Sequence, residues 1–157
     1  MERLLRRLAL GCALAGCAAA CAVAVLTVAS IAGRALWSHP IQGDVELSQF
    51  GIALCIALCL PWCQLQRGNI VVDFFTQKAG PRTLRVLDGA GSLLLAMMVG
   101  LLAWRSTVGA LAVHEAGETT MILGLPMWIG YAALSPGLAL TALIALVQVF
   151  PGLEERP

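Results

Sequence analysis

The chain has 157 residues, 59% of them hydrophobic and only 12% charged. That charged share is about half the roughly 25% usual in soluble domains. With a mean hydropathy of +0.86, it has too little polar surface to cover a core in water, which excludes a soluble all-helical domain.

In chain order, the first charge-free run lies between Arg7 and Arg34. It opens as "MERLLRRLALGCALAGC", a basic start followed by Leu14-Ala15-Gly16-Cys17, which matches a bacterial lipoprotein cleavage box. A lipoprotein would continue with a polar tether. This sequence continues "AAACAVAVLTVASIAG", apolar throughout, so a retained span over about 8–33 is expected. After Arg34, Pro40-Ile41-Gln42-Gly43 forms a turn.

The second run, between Glu46 and Arg67, predicts a span over about 46–66. Gly51, Cys55, Cys59 and Cys63 recur every four residues on one face of it. That is a small-residue ladder suited to close helix packing.

The stretch 67–85 carries Arg67, Lys78, Arg82 and Arg85, four of the ten cations. On a helix, Ile70, Val71, Phe74 and Phe75 fall within an arc of about 140°, with Asp73, Thr76 and Gln77 opposite. A short amphipathic helix over about 69–79, lying in the interface and stopped by Gly80-Pro81, is expected. Membrane lipid is then a direct partner, with Arg82 and Arg85 at the head groups.

The third run starts after Asp88 and predicts a span over about 84–112, provided that Arg105 snorkels toward one face. A charge at that depth costs at least about 2.5 kcal/mol unless paired or hydrated. Asp44, Glu46 and Glu118 are its expected partners. The fourth run, between Glu118 and Glu154, predicts a span over about 121–149, bent by Pro126 and Pro136. Ala133, Gly137, Thr141 and Ala145 form a second small-residue ladder along it. Trp37, Trp104 and Trp128 near one set of predicted ends, and Trp62 near the other, are placed as interfacial anchors.

None of these runs shows the period-two alternation of barrel strands. A helix needs roughly 20 apolar residues to cross a core of about 30 Å. The fold class is therefore all-α integral membrane: one domain over 1–157 with four transmembrane helices. Grouped by alternate loops, eight cations fall on one side and one on the other, with Arg105 inside a helix. Both termini are thus expected in the cytoplasm.

The helices carry little chemistry. C-x-x-C is absent, and His39 and His114 fall in loops, so neither a metal, a thiol-redox nor a haem site is expected, and no cofactor. No Asp or Glu lies mid-span, where ion-coupled transport usually needs one. A non-enzymatic structural partner is the favoured class. The alternative is a four-span membrane thiol–quinone oxidoreductase, which needs a reactive thiol pair near the outer face. A small self-assembling exporter would need a Glu within the first span, and none is there.

Several short motifs, in order and spacing, carry a family resemblance. Arg34 closes span one and Gly43-Asp44-Val45-Glu46 opens span two. Arg67-Gly68-Asn69-Ile70-Val71-Val72-Asp73 follows it. Glu118-Thr119-Thr120 and Leu125-Pro126-Met127-Trp128 lead into span four, with Ser135-Pro136-Gly137 beyond. The chain resembles the small, four-span, DctQ-like membrane subunit of tripartite ATP-independent periplasmic (TRAP) transporters. It departs from the usual pattern at Asn69, where several members have His, and at Ala35, where many have an aromatic residue. The resemblance implies a bacterial inner-membrane location and a scaffold role. It also implies a large multi-span subunit holding the substrate and sodium sites, and a periplasmic solute-binding protein that delivers an organic acid. Nucleic acid is not an expected partner. On the same resemblance, Arg34, Glu46, Arg67, Asp73, Arg105, Glu118, Pro126 and Trp128 orient helix ends or contact the large subunit.

Overall fold

The structure, a computed structural model, describes residues 2–37, 41–66 and 81–149. It has four helices, α1 (Glu2–Trp37), α2 (Asp44–Leu65), α3 (Pro81–Ala116) and α4 (Trp128–Val149). Each is long and apolar enough to cross a membrane. The interfacial helix expected over 69–79, with Arg67 and Asp73, lies outside the described residues.

The lengths alternate. α1 and α3 have 36 residues each, and α2 and α4 have 22. At about 1.5 Å per residue the short pair matches the hydrocarbon thickness, and the long pair overshoots it.

The packing directions follow from side-chain neighbours. Gly16 of α1 lies against Cys55 and Cys59 of α2, and Val23 against Gly51, so the two helices run antiparallel. Gly100 of α3 faces Ala142 of α4, and Gly109 faces Tyr131, which makes that pair antiparallel as well. Phe50 of α2 meets Gly130 of α4, and Ala57 meets Gly137, so α2 and α4 are parallel. Among the described residues α3 packs on α4 but on neither α1 nor α2. The order in space is therefore α1, α2, α4, α3: two hairpins joined through their second helices.

Small residues make these contacts possible, because lipid tails give helices no hydrophobic reason to associate and close backbone approach must supply the attraction. Ala96, Ala103 and Ala110 are buried at a seven-residue spacing on α3, the repeat that winds two helices with a left-handed crossing. On α4, Gly137, Thr141, Ile144 and Ala145 are buried. Thr141 donates its hydroxyl hydrogen to the Gly137 carbonyl at 2.8 Å, so its polar atom is satisfied. The Gly51–Cys63 ladder is used for α1 down to Cys59, while Cys63 is exposed.

Two expectations are corrected. The fourth helix begins at Trp128 and not near 121, and Pro126 precedes it instead of bending it. Gly124 at φ 64° turns the chain out of helical geometry, and proline disfavours a helical residue before it. Proline also occurs inside both central helices, Pro61 in α2 and Pro136 in α4.

Candidate functional site

The two motifs that are furthest apart in sequence, 43–46 and 118–128, meet at one end of the bundle. The joint begins with the end of α3. Gly117, at φ 64°, follows the helix in the left-handed region. Its N–H bonds the His114 carbonyl at 3.2 Å, and the Glu118 N–H bonds the Val113 carbonyl at 3.3 Å. This pair of bonds is a Schellman motif, which satisfies the last carbonyls and turns the chain. Residues 118–127 then fold back on themselves. Thr119 bridges Pro126, the Thr120 N–H donates to the Leu125 carbonyl at 2.8 Å, and the Met127 N–H donates to the Glu118 carbonyl at 3.1 Å. The Leu125 N–H reaches the Thr120 hydroxyl at 3.0 Å.

Glu46, in the first turn of α2, holds this loop down. One carboxylate oxygen accepts the Ile122 N–H at 2.8 Å and the other accepts the Leu123 N–H at 3.0 Å. Two successive backbone N–H groups on one carboxylate make charge-assisted bonds with both oxygens used. Gly43 completes the seat. It is buried at φ 75°, and a Cβ there would stand 2.3 Å from Leu123 Cγ, so only glycine lets Leu123 settle on the start of α2.

The same turn is tied to α1. Ser30 is buried and donates its hydroxyl hydrogen to Asp44, whose other oxygen accepts the Val45 N–H at 2.8 Å. Arg34, exposed in the last turn of α1, is the cation whose field reaches Asp44. At the start of α4, Trp128 meets His114 of α3 edge-on, with centroids 5.3 Å apart. One end of the molecule thus joins all four helices. Beneath the loop an open cleft of about 190 Å³ lies between α2 and α4, lined by Glu46, Phe50, Thr120, Met127 and Tyr131 among others.

Of the eight residues singled out from the sequence, Arg34, Glu46, Glu118, Pro126 and Trp128 come together at this end. Arg105 does not. It is exposed on α3, and among the described residues it pairs with none of Asp44, Glu46 and Glu118. Arg67 and Asp73 lie outside the described residues. Trp104 is exposed on α3 ten residues before His114, about 15 Å by helical rise.

The opposite end holds a contact that the sequence reading missed. The Gln64 side-chain amide of α2 donates to the Gln148 side chain of α4 at 2.7 Å, and Gln148 donates back to the Gln64 carbonyl at 3.0 Å. Gln64 is buried. Two amides inside otherwise apolar runs were the signal that could have found this pair.

The contacts that build this arrangement are packing contacts and main-chain hydrogen bonds. Among the residues whose burial is described no Asp, Glu, His, Lys or Arg is buried, and among the described residues no three His, Cys, Asp or Glu stand close enough to hold a metal ion. The six cysteines are free, and Cys55 and Cys59 lie mid-helix against Gly16. No cysteine pair sits at the loop end.

Four membrane-length helices, stitched by small residues and tied at both ends, define a multi-pass membrane protein. The family described as "Tripartite ATP-independent periplasmic transporters, DctQ component" matches residues 23–155. The chain belongs to that family, and is therefore a small subunit of a TRAP transporter. Comparison with curated proteins and with solved structures finds no match.

Proposed function

We propose that this chain is the scaffold of a sodium-driven importer for an organic acid in the bacterial inner membrane. Both termini face the cytoplasm, and the loop over 117–127 faces the periplasm. A large multi-span subunit packs beside it and holds the substrate and sodium, and a soluble binding protein delivers the acid from the periplasm. The stretch 69–79 braces the membrane surface on the cytoplasmic side, with Arg67 and Asp73 orienting the ends of its neighbours. The chain itself performs no catalysis.

One observation carries this reading. Among the residues whose burial is described, the buried side chains between helices are uncharged, Ala, Pro, Ile, Ser, Thr and Gln, and the one acid that lines the cleft, Glu46, has both oxygens occupied by the chain's own backbone. Gripping a carboxylate solute or its driving cation needs free ionisable or oxygen ligands at membrane depth.

The test is reconstitution in liposomes under an inward sodium gradient, with uptake of a panel of radiolabelled mono- and dicarboxylates. The chain alone is expected to take up none. Uptake should appear when the large subunit and the binding protein are added. Accumulation by the chain alone would overturn the proposal.

A further inference from the structure

Arg105 is the one charge in the middle of α3, and among the described residues it has no ion-pair or hydrogen-bond partner. At 100° per residue it lies about 160° around the helix from the buried Ala96, Ala103 and Ala110 that face α4. It therefore points away from the other described helices, because α3 packs on α4 alone among them. Leu94, Met98 and Leu101 share its face, and all are exposed.

Its depth follows from the neighbours of α3. Trp128, the first residue of α4, meets His114, so residue 114 marks the level at which α4 begins. Arg105 is nine residues further in, about 13 Å by helical rise. Gly100 lies against Ala142, which brings the far end of α4 level with about residue 93 of α3. Arg105 is about 18 Å from that edge. It sits well inside the slab on both counts.

Snorkelling is the usual escape for such a residue. Here helix geometry opposes it. Side chains on a helix lean toward its N-terminus, and for Arg105 that direction leads deeper, away from the nearer edge. Lipid phosphates stay at the edges. Of the acids expected to pair with it, Asp44 bonds Ser30 and the Val45 N–H, Glu46 bonds the loop, and Glu118 stands exposed thirteen residues further along, past the end of α3.

We infer that Arg105 forms an ion pair, at membrane depth, with an Asp or Glu of the large membrane subunit, and that the Leu94–Met98–Leu101–Arg105 face of α3 is the surface that packs on it. This rests on the reading of the chain as a scaffold beside such a subunit. A guanidinium takes a carboxylate through two parallel hydrogen bonds, so one pair on an apolar face fixes both the depth and the rotation of α3 against its partner. The apolar side chains around it exclude water and lipid head groups from the pair.

The experiment co-expresses the tagged chain with the large subunit and measures capture of that subunit in mild detergent. Arg105→Lys should keep most of the capture. Arg105→Gln and Arg105→Glu should lower it about tenfold or more, as expected when one member of a desolvated pair is lost. All three should reach the membrane in wild-type amounts when expressed alone. In the Arg105→Glu background, changing one membrane-depth acid of the large subunit to Arg should restore capture. Undiminished capture by Arg105→Gln overturns the pairing and leaves the scaffold reading intact. Capture that is lost and restored by no charge swap also overturns it; an anionic phospholipid that co-purifies with wild type but not with Arg105→Gln would then assign the contact to a lipid head group. Failure of the wild-type chain to capture the large subunit overturns the scaffold reading itself, and this inference with it.

Discussion

Glu46 belongs to a charged motif that sequence reasoning assigned to helix orientation or partner contact, and the structure gives it an internal task. Its two oxygens take the N–H groups of Ile122 and Leu123, so a single side chain pins a loop that starts some 70 residues later in the chain. A carboxylate in the first turn of α2 is also favoured by the positive end of the helix dipole. Glu46→Gln should keep the size and remove the charge, turning one acceptor into a donor that faces a backbone N–H. Amide exchange at Ile122 and Leu123 is expected to speed up roughly three- to tenfold, while exchange within α2 and α4 stays unchanged. Exchange at the two amides that matches wild type would show that the loop is held by Gly43 and Leu123 alone. The pairing itself could not be read from the sequence, because the groups that Glu46 meets are main-chain N–H groups with no side-chain signature. The turn that presents them was partly legible. Gly124 and Pro126 are both breakers, but the apolar run around them outweighed that signal and drew the fourth span back to residue 121.

The central pair α2 and α4 shows the same limit for whole elements. The absence of charge marked all four spans, because hydrocarbon excludes charged side chains and forces each backbone to satisfy itself as a helix. It did not say which helix lies beside which. The Gly51–Cys63 and Ala133–Ala145 ladders were visible in the sequence, but small-residue ladders fit any close partner, and they turned out to serve different neighbours. The first takes Gly16 and Val23 of α1, while Gly137 in the second takes Ala57 of α2. The more selective device is polar. Gln64 and Gln148 bond reciprocally near the end opposite the loop, and fix the register of two parallel helices. Gln64→Leu and Gln148→Leu should each destabilise the detergent-solubilised protein by about 0.6–2 kcal/mol, the range measured for interhelical hydrogen bonds in membranes. The double variant should cost less than the sum, since either single change already removes the bond between the two side chains. Thermal unfolding followed by circular dichroism gives the cycle, and strict additivity would show that the two side chains do not support each other.

For the whole molecule, the two hairpins have matching lengths, a 36-residue helix followed by a 22-residue one, and they join through parallel second helices. Parallel α2 and α4 require both hairpins to enter the membrane from the same side. The relative direction of the two hairpins thus follows from packing alone, independently of the charge argument for which side is which. On the orientation proposed above, the excess of Lys and Arg in alternate loops makes that entry side the cytoplasm. On that proposal the loop tip stands outside. Met121 is 101% exposed there, at the turn held by Glu46, and Gln66 is exposed just past the opposite end of α2. Met121→Cys should react with a membrane-impermeant maleimide in cells whose inner membrane is intact. Gln66→Cys should react only after that membrane is opened, and the wild-type chain supplies the baseline for its six thiols, of which Cys55 and Cys59 pack against α1. The reverse pattern would invert the chain in the membrane. It would put the 117–127 loop in the cytoplasm, beyond the reach of any periplasmic partner, while leaving every helix contact described above in place.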